Sequence, residues 1–188
     1  MLSPAPSNQR QLLHRRNLAV EVFERADGLF DVEASLSDVK AHDMRLATGI
    51  RPAGHPIHDM QLWLVVDRHL QIHAAGSSTL AMPYPGQCDQ HGDAYAKLAG
   101  LSLLKGFRAG LKERLTGTRG CTHLTELAAV LPTAVIQAFA GRVLDTREGS
   151  GDDQPPFQID RCHALRRDGD VVQTYYPRWY RPAGGHHS

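Results

Sequence analysis

Cysteine is scarce in this 188-residue chain, with only three, and aromatic side chains make up 6% of it. An odd number of thiols and no export signal exclude a disulfide framework, leaving free or metal-bound thiolates in a reducing compartment. The first eight residues are rich in proline and serine and lack an apolar signal core, so the expected location is the cytoplasm. No apolar run is long enough for a membrane span. An excess of either charge is missing as well. Lysine and arginine (21) almost cancel aspartate and glutamate (20), which argues against nucleic-acid or membrane-surface partners. Histidine is the exception, with eleven, although His186 and His187 lie in a terminal Gly-Gly-His-His segment and carry no weight.

The length suits one domain with a tail. The expected organisation is a flexible arm over residues 1–16, an α+β metal-site domain over 17–145, and a linker with a C-terminal extension packed on the core over 146–188. Leu18, Val20 and Val22 alternate, Asp27-Gly28 supplies turn chemistry, and Phe30, Val32, Ala34 and Leu36 alternate on the return, which predicts a hairpin. Residues 38–56 lack periodicity and read as a long connection carrying Arg45 and Arg51. A second hairpin runs from Asp59 through Met60, Leu62, Leu64 and Val66, turns at 67–69, and returns through Leu70, Ile72 and Ala74. It should be central in the sheet.

The remainder is helical in pattern. Tyr95, Leu98 and Leu101 define one short stretch, and Phe107, Leu111 and Leu115 a second that stops at Gly117. A third begins near Thr122 and places Leu124, Leu127, Ala128, Leu131, Val135, Ala138 and Phe139 on one face, with Pro132 inside it. Residues 149–156 have linker composition. The segment 159–180 is either a last hairpin about Asp168-Gly169 or an aromatic wrap. The fold class is thus an antiparallel sheet of two hairpins with three helices on one face, and its exposed edges allow a homodimer.

The candidate chemistry gathers at Gly120-Cys121-Thr122-His123, a glycine-bracketed turn at a helix start, where unpaired backbone N–H groups favour negative charge on a thiol. Cys121 there suits metal binding or attack on an electrophile, and the alternative is a small buried side chain. His55, His58 and Asp59 at a strand head, and Cys88 before a helix, are further potential ligands at element boundaries, where short turns hold donors convergent. Cys162 and His163 are adjacent, so an inward thiol beside an outward imidazole on an extended segment is the simpler reading.

The segments Gly54-His55-Pro56-Ile57-His58-Asp59-Met60, Pro83-Tyr84-Pro85-Gly86-Gln87-Cys88, Arg119 to Leu127 and Arg161 to Leu165 resemble a bacterial family of unknown function, numbered 2889. The resemblance implies a setting in the catabolism of aromatic or acyl compounds. A more distant likeness is to iron-sulfur scaffold proteins of the NifU and IscU type, with a SufE/NifU-like fold. In those, an aspartate at a strand head and cysteines at helix starts surround zinc or a cluster. That likeness implies roles for Asp59, Cys88 and Cys121, with His58 or His55 replacing the first cysteine, since Ile57 stands there. A mixed donor set favours a single zinc or iron.

The resulting expectation is a metal-dependent lyase or hydrolase acting on a small-molecule substrate. Its ligands are His58, Asp59, Cys88 and Cys121, and His123 and Glu126 serve as acid and base. Arg51 or Arg119 would hold an anionic group. Its rivals are a closed-site metal or cluster carrier, and a metal-free enzyme with Cys121 as nucleophile and His123 as base.

Overall fold

The computed structural model describes residues 9–90, 94–147 and 154–182. The chain divides into two compact units, Met1–Val135 and Ile136–Ser188. The first holds strands β1 (His14–Glu24), β2 (Phe30–Lys40), β3 (Met44–Leu46), β4 (Gly49–Arg51), β5 (Pro56–Val66) and β6 (Ile72–Ala81). It also holds helix α1 (Phe107–Leu115) and most of α2 (Thr122–Phe139). The expected α+β class is observed.

Both predicted hairpins form, and they join through β2 and β5 into a four-stranded antiparallel sheet of order β1-β2-β5-β6. Period-two alternation buries Phe30, Val32, Ala34 and Leu36 of β2 beside Met60, Leu62, Leu64 and Val66 of β5. The first strand begins at His14, so residues 14–16 belong to the sheet rather than to an arm. Only β5 of the second hairpin is central; β6 is an edge. A register shift between Val65 and Val66 changes the phase of β6, so that Ala75 rather than Ala74 is buried.

On the outer face Trp63 lies opposite Gly76, where a Cβ would stand 2.5 Å from the indole, so a side chain there would displace the ring from its seat on the glycine. The stretch expected to be unstructured between β2 and β5 contains the small hairpin β3–β4, and Gly54 N–H donates to the Lys40 carbonyl at 2.9 Å. Three-residue strands are too short to show an alternation.

Residues 94–98 form a 3-10 turn, followed by α1 and then α2, which continues through Pro132. Leu124, Leu127, Ala128, Leu131 and Val135 are fully buried along one stripe of α2, each leucine contributing on the order of 2 kcal/mol. Ala138 is exposed instead.

In the second unit no hairpin forms about Asp168-Gly169. Helix α3 (Asp170–Tyr175) and two 3-10 turns take that place, with Ile159, Val172 and Trp179 buried among Leu165, Tyr176 and Tyr180. Gly169 precedes the first residue of α3 in extended conformation, so the Asp-Gly pair introduces a helix instead of reversing a strand. Residues 149–153 of the expected linker lie outside the described residues, as do His186 and His187.

Candidate functional site

Asp38 continues the inward row of β2 after Leu36 and is 2% exposed, the one charged side chain found buried among the described residues. Register places it between Arg16 of β1 and His58 of β5. A carboxylate removed from water needs partners. Arg16 grips it with two bonds, Nε to Oδ1 at 2.8 Å and Nη2 to Oδ2 at 2.7 Å. His14 Nε2 stands 3.0 Å from Oδ1, and His58 Nδ1 3.1 Å from Oδ2. Burial by itself raises the pKa of Asp38. The hydrogen bonds and charge of Arg16, with His58, overcome this and hold it at about 2, so the group is ionised.

His123, in the first turn of α2, completes the cluster. Its Nε2 is 3.8 Å from Asp38 Oδ2, and its ring lies 3.8 Å from that of His58, centroid to centroid, at an interplanar angle of 32°. Burial, and then the neighbouring His123, lower the pKa of His58, which therefore keeps a neutral imidazole near pH 7. One ligand atom from each of Asp38, His58 and His123 lies within 4.8 Å of the others.

The helix start is held from below. The Cys121 carbonyl accepts the Thr125 N–H at 2.9 Å, which makes Cys121 the cap residue. Tyr95, fully buried, accepts the Cys121 N–H at 3.0 Å, donates to the Cys121 carbonyl at 2.7 Å, and meets Thr125 Oγ1 at 2.9 Å. Gly120 is demanded by space, because a Cβ there would stand 2.7 Å from the Leu115 carbonyl oxygen. The thiol itself is 3.8 Å from His123 Nδ1 and 3.9 Å from Met60 Sδ.

The residues singled out from the sequence separate into groups. His58 and His123 come together, and Cys121 borders them through His123 Nδ1. Asp59 does not join them: it lies opposite Ser37 and Ala81, and strand alternation turns it to the face away from His58. Cys88 shares with Cys121, Gln87, Gln90, Thr118 and Arg119 an open depression of about 460 Å³. Glu126 is engaged by Arg16 Nη1 at 2.6 Å, which links it to Asp38 through one guanidinium. Arg51 donates to the Met82 carbonyl at 3.2 Å and Arg119 to Thr116 Oγ1 at 3.2 Å. His55 stays exposed on its loop. Cys162 and His163 are both exposed in the second unit, and the inward thiol expected there is absent because the segment is a turn, not a strand.

Sequence reasoning missed Asp38, His14, Arg16 and Tyr95. For Asp38 a signal exists, since it falls in phase with Val32, Ala34 and Leu36, and a charge in step with a buried row needs an explanation. The helical spacing of Tyr95 marks only an apolar position and says nothing of its hydroxyl.

A family described as protein of unknown function, DUF2889, matches residues 14–137, which contain every member of the cluster. No curated protein and no solved structure matches the chain.

Proposed function

The chain belongs to the DUF2889 family, whose description assigns no activity, and we propose from the site alone that it is a metal-dependent enzyme. The observation that carries this reading is the convergence of Asp38, His58 and His123 within 4.8 Å, from β2, β5 and α2. Donors that each stand about 2.0–2.2 Å from one zinc are about 3–4 Å apart. The separations of 3.1 and 3.8 Å from Asp38 Oδ2 suit that span. Two imidazoles and one carboxylate favour zinc or iron(II) and leave coordination positions for substrate.

When bound, such an ion polarises a carbonyl or phosphoryl oxygen or activates a water. The chain's own residues do the rest. Arg16 and His14 fix the carboxylate of Asp38 while it acts as a ligand, and Tyr95 fixes the turn that presents His123. Glu126 remains half-exposed beside Arg16, a carboxylate placed to take up or return a proton. The reaction class that fits is a lyase or hydrolase step on a small organic compound, in keeping with a catabolic role.

A second reading is a metal or cluster carrier of NifU/IscU type, favoured by the shared depression of Cys88 and Cys121. Elemental analysis separates them. The protein is purified without an added tag, with His186 and His187 changed to alanine. The enzyme reading expects one ion per chain, lost in Asp38→Asn, His58→Ala and His123→Ala and kept in Cys88→Ala. In the cobalt-substituted protein azide should alter the visible spectrum, as an open position requires. Loss of metal in Cys88→Ala with retention in Asp38→Asn selects the carrier, and equal content in all variants refutes both.

A further inference from the structure

Strand β1 has β2 as its only strand neighbour among the described residues, so no described strand pairs with its other edge. Its inward row is also poorly covered. Leu18 is 47% exposed and Val20 and Val22 are partly exposed, although Leu36, Ala34 and Val32 directly across β2 are buried. The strand contains no proline, and Arg15, Arg16, Glu21 and Glu24 line it, so a strand that pairs there must match its charges.

Charge along β1 is sorted by position. Arg15 and Arg16 stand in its first half and Glu21 in its second. Laid antiparallel on a second copy with Ala19 opposite Ala19, the strand is self-complementary. Asn17 then faces the partner's Glu21 and Arg15 reaches it diagonally on the outer face, while Leu18 faces the partner's Val20 on the inner face. A parallel alignment would instead set arginine beside arginine and glutamate beside glutamate. We infer that the free edge of β1 binds a second copy of this chain, antiparallel about a twofold axis at Ala19, merging two four-stranded sheets into one. Arg16, 34% exposed at its side chain, is then covered by the partner's Val22, so the guanidinium that holds Asp38 is sheltered by the second copy. This inference does not depend on an ion at the cluster.

Sedimentation equilibrium of the full chain in the micromolar range, with chelator present, tests it. The expected result is a dimer whose dissociation constant rises by about tenfold or more in Leu18→Lys, which leaves two buried-edge positions charged. Arg15→Glu and Glu21→Arg should each weaken the dimer, and the double variant R15E/E21R should restore it, since antiparallel pairing exchanges the two charges. Circular dichroism checks that each variant is folded, and if Leu18→Lys is not, the charge series decides alone. A monomeric wild type overturns the inference, as does a dimer indifferent to Leu18→Lys or a double swap that fails to rescue.

Discussion

Replacing Arg16 with methionine removes the fork that keeps Asp38 ionised while retaining much of the aliphatic length. The depression of Asp38 from its ordinary 3.8 to about 2 corresponds to about 2–3 kcal/mol. Loss of one partner from a buried pair costs about 3–5 kcal/mol, and the partial exposure of Arg16 lowers that figure. The exposed pair with Glu126 adds less than about 1 kcal/mol. A destabilisation of about 3 kcal/mol at neutral pH follows. It should depend on pH in a defined direction. Because the folded-state pKa lies below the ordinary value, the contribution is fully present above 3.8 and is lost as pH falls through 3.8 toward 2. The variant and the parent should therefore converge in acid. Urea unfolding followed by Trp63 fluorescence in a Trp179→Phe background isolates the sheet, since Trp63 is in the first unit and Trp179 in the second. A deficit of less than about 0.5 kcal/mol near neutrality, or one that persists undiminished at about pH 3, would refute the assignment of Asp38 as a carboxylate held ionised by Arg16.

Two other perturbations test the supports of the site. Tyr95→Phe deletes a buried hydroxyl that serves Cys121 N–H, the Cys121 carbonyl and Thr125, so stability should fall by about 1–3 kcal/mol. Calorimetric zinc binding should weaken by on the order of tenfold as the turn loosens, and an unchanged isotherm with unchanged stability would show that the clamp is idle. His58 has a folded-state pKa below its ordinary 6.5, so the unfolded chain takes up the proton first and stability declines as pH falls below 6.5. In chelator, the drop in urea midpoint between about pH 7.5 and about 5.5 should shrink in His58→Asn. An equal drop in both proteins assigns that pH dependence to another group.

Period-two patterns and an Asp-Gly turn are by themselves enough to locate the first hairpin, because a half-buried strand must alternate. The helix from Thr122 is equally legible from its apolar spacing, and with it the placement of Cys121 and His123 on one turn. Those are consequences of local geometry and hold wherever the segment ends up. Which distant side chain faces His123 is not of that kind. Asp59 and His58 are neighbours in the chain, yet a strand sends them to opposite faces, and the carboxylate that meets the imidazoles comes from residue 38 through strand register. Register between β2 and β5 is set by the burial of two apolar rows against each other, a property of both strands together. The residues of the cluster are therefore written into separate segments: strand register brings Asp38 to His58, and the packing of helix on sheet adds His123.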